Sequence, residues 1–155
     1  MLRIAKLTDY ATVIMAELAR QASACRSASL IAEQTGLEPP TVAKVLKLLA
    51  RAGLVESVRG ANGGYRLDRP AGSITVASIV RAMEGPIGLT ECSAEPGRCN
   101  HERDCALRGN WRSIGDLVEQ VLEKLTLADL IEPEIPAIRL RLLSDGAQVP
   151  GVQSR

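Results

Sequence analysis

The stretch that most constrains the fold is GLEPPTVAKVLKLLARAG, residues 36–53. Pro39 and Pro40 fit an α-helix only in its first turn, where their missing N–H groups would have no intrahelical partner. From Val42 onwards apolar residues recur at helical spacing until the closing glycine. The preceding LIAEQT reads as a short helix that stops at the opening glycine, a residue favoured just past a helix end. Two helices joined by so tight a turn predict a helix-turn-helix.

A β-hairpin is predicted directly after the second helix. LVESVRG alternates as a strand, YRL is its partner, and Asn62-Gly63 between them favours the positive φ angles of a tight turn. Helices are also predicted before and after this unit, with Thr8 as a cap of the first and Thr75 as a cap of the helix that follows the hairpin. The expected fold class is mainly α: a winged helix-turn-helix domain with a small β-hairpin wing and a long C-terminal dimerisation helix.

The chain divides into four parts. We expect a winged-helix DNA-binding domain over 1–84, a cysteine cluster-binding loop over 85–106, a dimerisation helix over 107–130 and a flexible tail over 131–155. In the third part apolar residues recur at three and four positions, which favours a dimer seam but also fits a helix that packs on its own domain. The seam residues are Trp111, Ile114, Val118, Val121 and Leu125.

The charge distribution points to a polyanion partner for the first half. Residues 1–69 carry ten Lys/Arg against six Asp/Glu, a net of +4, whereas residues 70–155 have a net of −3. On the second helix of the helix-turn-helix the cations lie opposite the apolar face, as required in the DNA major groove. The first turns of that helix are expected to read bases, and the wing arginines to contact the minor groove or the backbone. The expected DNA-binding residues are Glu38, Pro40, Thr41, Ala43, Lys44, Lys47, Arg51, Arg59 and Arg66.

The segment ECSAEPGRCNHERDC concentrates thiols in a polar setting. It contains Cys92, Cys99 and Cys105 together with His101, the only histidine of the chain. There is no C-x-x-C pair, which most structural zinc sites contain. Three thiolates on one loop favour an iron–sulfur cluster, and zinc or a thiol redox switch remain as alternatives. Cys25 stands apart and is expected to be inert packing.

Enzymatic activity is not expected. One histidine, no paired carboxylates in an obvious cleft and no phosphate loop leave no recognisable catalytic machinery, and no small-molecule substrate is expected. A cluster-carrying scaffold or electron-transfer protein would not need the basic helix and wing. No apolar run approaches the roughly 18 residues that span a bilayer, so no membrane association is expected. The amphipathic N-terminus lacks a signal-peptide core, so a cytoplasmic location with reduced thiols is expected.

Four stretches together resemble one family. LTDYA, GLEPPTVAKVLKLLARAGLVESVRGANGGYRL, ITVASIVRAMEGPI and ECSAEPGRCNHERDCALRGNW are similar to bacterial winged-helix regulators that sense iron–sulfur clusters. This family includes the Isc and Suf assembly regulators and the nitric-oxide-sensing repressor. The likeness covers roughly residues 1–130 and is greatest to the Suf-type regulators.

The resemblance implies a homodimer that binds operator DNA and controls, most simply as a repressor, the genes of cluster assembly. It also implies that Cys92, Cys99 and Cys105 hold a 2Fe–2S or 4Fe–4S cluster. Isc-type members place a histidine three residues after the third cysteine, but this chain has Arg108, which stays protonated and cannot ligate a metal. By likeness to other members, Asp9 of the partner subunit is the first candidate for the fourth ligand, His101 is the local alternative, and a solvent or small thiol ligand is the third. The competing interpretation is a winged-helix transcription factor switched by zinc or by thiol redox chemistry.

Overall fold

The computed structural model describes residues 3–20, 24–60, 63–95, 97–101 and 104–132, without the side chain of Cys92. Within these ranges the chain is mainly helical with one two-stranded antiparallel sheet, which confirms the predicted winged-helix class. A 3-10 turn over Ala71–Ser73 separates the sheet from the later helices. In chain order the elements are α1 Lys6–Arg20, α2 Ala28–Thr35, α3 Pro39–Arg51, β1 Val55–Val58, β2 Gly64–Leu67, α4 Val76–Glu84, α5 Glu91–Ala94, α6 Arg108–Lys124 and α7 Leu127–Ile131.

The core is aliphatic and lies between α1, α3, α4 and the sheet. The predicted apolar face of α3 is fully buried, because its residues recur every three or four positions and so share one side of the helix. Side chains from α1, α2, α4 and α7 close the same cluster. Its largest members include Ile14, Leu18, Ile31, Leu46, Leu49, Ile79 and Leu127.

The two predicted helix caps have different outcomes. Thr75 caps α4 as expected, since its hydroxyl accepts from the backbone N–H of Ser78 at 3.1 Å. The prediction for Thr8 is wrong, because α1 begins at Lys6 and Thr8 lies inside the first turn. Thr8 is buried there and donates its hydroxyl proton to the carboxylate of Glu84, the last residue of α4, at 2.6 Å.

The wing hairpin is attached to the helices through Arg26. The backbone of Arg26 pairs with Tyr65 of β2 through two hydrogen bonds of 2.9 and 2.8 Å. Gly64 permits this approach, because a Cβ there would lie 2.4 Å from the carbonyl oxygen of Arg26. The buried Arg26 guanidinium donates to Glu17 of α1 at 2.6 Å and also contacts Gln34 of α2. One buried cation therefore ties α1, α2 and the wing together. The predicted turn residue Asn62 lies outside the described residues.

The segment expected to form one long helix over 107–130 consists of two. α6 ends at Lys124, so Leu125 of the predicted seam is extended and lies outside the helix. The N–H of Val76 donates to the carbonyl of Leu125, and the N–H of Leu127 donates to the carbonyl of Ile74, each at 2.8 Å. These two hydrogen bonds pair the segment between α6 and α7 with the residues at the start of α4, next to the core. The expected tail over 131–155 falls almost wholly outside the described residues.

Candidate DNA-binding face and cysteine segment

The side of α3 opposite the core carries exposed cations. Lys44, Lys47 and Arg51 lie three and four residues apart, and all three are exposed. Helical spacing forces this result, because the positions between them supply the buried valines and leucines. The face thus has the shape and charge of a helix that enters the DNA major groove.

The start of α3 presents the residues expected to read bases. Pro40 and Ala43 are exposed in the first turns, and Thr41 is half-buried. Glu38 occupies the N-cap position in extended conformation and is exposed, but its side chain does not cap the helix. Together with Lys44, these residues form one surface at the N-terminal end of the helix.

The two wing arginines differ in their surroundings. Arg59 is exposed directly after β1 and forms no ion pair with any residue that the structure describes. Arg66 lies opposite Glu56 in the hairpin register and binds its carboxylate through Nε at 2.8 Å and Nη2 at 2.7 Å. This contact with Glu56 raises the pKa of Arg66 above its ordinary value. The charge of Arg66 is therefore compensated within the wing, whereas that of Arg59 faces solvent.

The cysteine segment, residues 85–106, contains a short helix that the sequence did not predict. Cys92 lies in α5, Glu91–Ala94. A capping box stabilises the start of this helix: the Thr90 N–H donates to the Ser93 hydroxyl at 2.9 Å, and the Ser93 N–H donates to the Thr90 side chain. The T-x-x-S pattern was the available signal, although serine is a less usual partner than glutamate at the last position.

The expected metal ligands are not brought together by the part of the chain that the structure describes. Cys99 and Cys105 are half-buried free thiols, His101 is exposed, and Asp9 is exposed in the first turn of α1. Among the described residues no three His, Cys, Asp or Glu side chains gather closely enough to hold a metal ion. The ligand set thus stays a prediction. Cys25 is also half-buried rather than sealed in the core.

Close packing of small residues docks α5 against α6. A Cβ on Gly88 would lie 2.3 Å from the backbone nitrogen of Ala94, so this approach requires glycine. Gly115 is buried in α6 and faces Ser93, with the Ser93 Cβ 3.8 Å from the position a Cβ would take. The first half of the cysteine segment is therefore positioned on the helix that follows it.

α4, the helix that precedes the cysteine segment, forms hydrogen bonds with both α1 and α6. At its end, Glu84 accepts from the Ala5 N–H at 3.0 Å as well as from Thr8, both at the start of α1. On its exposed side, Arg81 donates to Glu119 of α6 at 3.1 Å and also binds Glu123. α4 thus connects α1 to α6 immediately before the cysteine segment. Sequence reasoning missed Glu84, because its partners are more than seventy residues away.

An apolar strip along α6 is left uncovered by the residues that the structure describes. Trp111, Ile114, Leu117 and Val121 are each 37–42% exposed, although large apolar side chains are normally buried. Three of them belong to the predicted seam, while Val118 is half-buried against the molecule. Contiguous exposed apolar side chains of this kind mark interaction surfaces.

A basic recognition helix, a hairpin wing and a helix with an uncovered apolar face define a winged-helix DNA-binding regulator. The chain belongs to the Rrf2 family, whose model, described as an iron-dependent transcriptional regulator, matches residues 4–133. The family is one of DNA-binding transcription regulators and not of enzymes, which confirms the resemblance to this group of regulators and the expectation of no enzymatic activity. The greater likeness to Suf-type members stays a prediction. None of the described helices is long and apolar enough to cross a membrane.

Solved structures of three relatives have the same fold over most of their length. CymR of B. subtilis, described as the global cysteine regulator, is 35% identical, with 84% of this chain and 97% of that chain covered and a TM-score of 0.66. T. potens IscR is 28% identical, with 99% of this chain and 94% of that chain covered and a TM-score of 0.63. The oxidised form of Staphylococcus aureus CymR is 32% identical, with 86% and 99% covered and a TM-score of 0.63.

Proposed function

We propose that this regulator controls genes of Suf-type iron–sulfur cluster assembly, as a repressor, and senses through a cluster bound in the cysteine segment. The observation that carries this proposal is the location of the three thiols. Cys92, Cys99 and Cys105 all lie between α6 and α4, the last helix of the DNA-binding domain. α4 is bonded to α6 through Arg81 and to the start of α1 through Glu84. The iron-dependent character of the family supports the same assignment.

The donor set fits an iron–sulfur cluster chemically. Cysteine thiolates are the ligands that such clusters use, and the described thiols of Cys99 and Cys105 are accessible rather than sealed in the core. A fourth ligand has to come from outside this set. Asp9 of the partner subunit is our first candidate because it is exposed, and His101 of the same segment is the alternative. When bound, the cluster would join the three cysteines, and oxidation of the cluster would break that connection.

The DNA contacts are proposed for the surface formed by α3 and the wing. Lys47, Arg51 and Arg59 would contact phosphates, whereas the first turns of α3 would meet base edges. Lys44 could donate to guanine, and Ala43 and the methyl group of Thr41 could contact a thymine methyl group. Arg66 is the weakest member of the set, since Glu56 already compensates its charge.

Homodimerisation is proposed through the apolar strip of α6. Helix-turn-helix regulators bind paired half-sites as two-fold dimers, so each protomer has to present its recognition helix at a fixed spacing. The uncovered side chains of Trp111, Ile114, Leu117 and Val121 supply a self-complementary surface for that purpose.

The contacts around α4 suggest how the cysteine segment influences DNA binding. Ligation through three thiols would restrain the segment, whose two ends are the end of α4 and the start of α6. Glu84 transmits the position of α4 to the first turn of α1 through its bonds to Ala5 and Thr8. The dimer binds DNA more tightly in whichever state of the cysteine segment, loaded or empty, places the two recognition helices at the operator spacing. In the other state the dimer dissociates from the operator.

The likeness to CymR favours one second candidate, a thiol-based or zinc-based switch. B. subtilis CymR is described as a cysteine regulator, and an oxidised form of the S. aureus protein is known. In this alternative the cysteines of the segment react with an oxidant or bind zinc, and the DNA-binding surface is the same.

Metal analysis of anaerobically purified protein separates these functions. We expect a brown protein with equal iron and acid-labile sulfide, and loss of both in Cys92→Ala and Cys105→Ala. Cys25→Ala is the matched control, because Cys25 is also a half-buried thiol but lies outside the segment. A weakened spectrum in Asp9→Ala would support the carboxylate ligand. Zinc without iron, or no metal after anaerobic reconstitution, would overturn the cluster.

The target genes require a separate experiment. Genomic fragments that the anaerobic protein retains can be recovered and sequenced. We expect fragments upstream of cluster-assembly genes, and recovery of other promoters alone would contradict the Suf assignment while leaving the DNA-binding function intact.

A further inference from the structure

A cleft between α1 and the start of α3 adjoins the proposed DNA-binding face. Its lining comes from the first turns of α1 and from the turn and first residues of α3. The residues that supply polar or charged groups are Lys6, Tyr10, Glu38, Thr41 and Lys44. Lys6 and Tyr10 belong to none of the surfaces described above, and they lie on a helix that does not enter the groove.

The ammonium group of Lys6 lies over the ring of Tyr10. The two residues are four positions apart on α1, and Lys6 Nζ lies 5.4 Å from the centre of the Tyr10 ring. This is the range of a cation–π contact, which orients the side chain toward the cleft. Interaction with the Tyr10 hydroxyl also raises the pKa of Lys6 above its ordinary value. Lys6 is nevertheless exposed and available to a ligand.

The position of the cleft indicates what that ligand is. A major groove about 12 Å wide has a phosphate backbone on each side of an inserted helix. Residues on a neighbouring element, beside the N-terminal end of the recognition helix, therefore face one of those backbones. Lysine binds phosphate as a point charge, and a tyrosine hydroxyl is a further donor.

We infer that Lys6 and Tyr10 anchor a DNA backbone phosphate at the edge of the groove that α3 enters. This inference rests on the proposed DNA-binding function and extends its surface from the helix-turn-helix and wing to α1. It also assigns different roles to the two lysines of the cleft. Lys6 fixes the backbone without reading sequence, which leaves Lys44 to reach the base edges. Because Glu84 binds the same first turn of α1, the anchor lies next to the contact that leads to the cysteine segment.

A salt titration of DNA binding tests the inference, with anaerobic full-length protein and a short duplex of mixed sequence. Each phosphate contact contributes about −0.9 to the slope of log K against log salt. We expect Lys6→Gln to make the slope shallower by about 0.9 per protomer over about 50 to 200 mM salt, equally for specific and mixed sequences. Tyr10→Phe keeps the ring and should lower affinity several-fold without abolishing binding.

Arg20→Gln is the matched control, since it removes one charge from the other end of α1. Its guanidinium already binds Glu17 at 2.8 Å, so the slope should not change. An unchanged slope and affinity in Lys6→Gln, while the wild type binds DNA, would overturn the anchor alone. Failure of the wild type to bind any duplex would overturn the proposed function as well. Displacement of the duplex by sodium phosphate beyond a chloride control of equal ionic strength, lost in Lys6→Gln, would support the anchor, because phosphate competes only at a site that the duplex occupies.

Discussion

The winged-helix domain and the cysteine segment are built in opposite ways. The domain closes over fully buried aliphatic side chains and a buried Glu17–Arg26 ion pair. In the cysteine segment none of the residues that the structure describes is buried, and its ion pair, Arg98–Glu95, is largely exposed. The domain is therefore packed around its own core, whereas the described part of the segment has no buried core and packs against α6. We expect ligands and oxidants to act where the chain itself provides least packing.

The two regions should differ most in the unfolding free energy that is lost when one partner of an ion pair is removed. Glu17→Ala leaves the buried Arg26 guanidinium without its carboxylate, which should cost about 3–5 kcal/mol of unfolding free energy. The matched change in the segment, Glu95→Ala, removes an exposed partner and should cost less than about 1 kcal/mol. Denaturant unfolding measures both. Equal losses would contradict the contrast between a packed domain and a weakly packed segment.

A smaller effect is expected where α4 meets α1. Glu84→Ala deprives the buried Thr8 hydroxyl and the Ala5 N–H of their acceptor, at a cost of about 1–3 kcal/mol. Glu84→Gln keeps one acceptor oxygen and should recover part of that loss. The same denaturant measurement applies, with Glu91→Ala, an exposed carboxylate in α5, as the control. A variant as stable as the wild type would show that this contact does not hold the two helices together.

The packing around α5 should affect cluster binding more than it affects the stability of the fold. Gly88→Ala places a methyl group against the backbone of Ala94, so α5 has to shift with Cys92. We expect global stability to fall by only about 1 kcal/mol, since the domain core is untouched. Iron content after anaerobic reconstitution should fall severalfold. Gly109→Ala, where a Cβ meets no neighbour, is the control for glycine replacement. Normal iron content in Gly88→Ala would show that this packing does not position Cys92.

The smallest change is expected in the wing. Glu56→Gln releases the Arg66 guanidinium from its exposed ion pair and should leave stability almost unchanged, because water screens both charges. DNA affinity at low salt should rise, because each protomer gains an uncompensated positive charge in the wing. Arg66→Gln in the same background should reverse the gain. A gain that persists without Arg66 would show that Arg66 does not reach the DNA.

Much of the DNA-binding domain was predictable because local rules suffice there. Prolines at a helix start, a four-and-three apolar repeat and a glycine turn each act within a few residues, and they gave α3 and the hairpin correctly. The Thr8 prediction failed for the opposite reason: its partner is Glu84, seventy-six residues away. Likewise, no local pattern shows that the chain after α6 returns to pair with Ile74 and Val76.

The candidate site was predictable in composition but not in geometry. The thiol spacing indicates soft-metal chemistry, yet it does not indicate that Cys92 lies in a helix or that Gly88 and Gly115 position it. The pattern of cations on α3 identifies the groove-facing side. It does not show that Glu56 compensates Arg66, or that Lys6 and Tyr10 face the start of α3.

The central claim is that the state of the cysteine segment sets DNA affinity. The most direct test measures the affinity of one preparation for an operator recovered from genomic DNA, first as anaerobically loaded protein and then after removal of iron by a chelator, at one fixed salt concentration. We predict a difference between about 5-fold and 150-fold, the range of ordinary coupling between sites, and its disappearance in Cys99→Ser. Equal affinities of the loaded and stripped protein would contradict the claim.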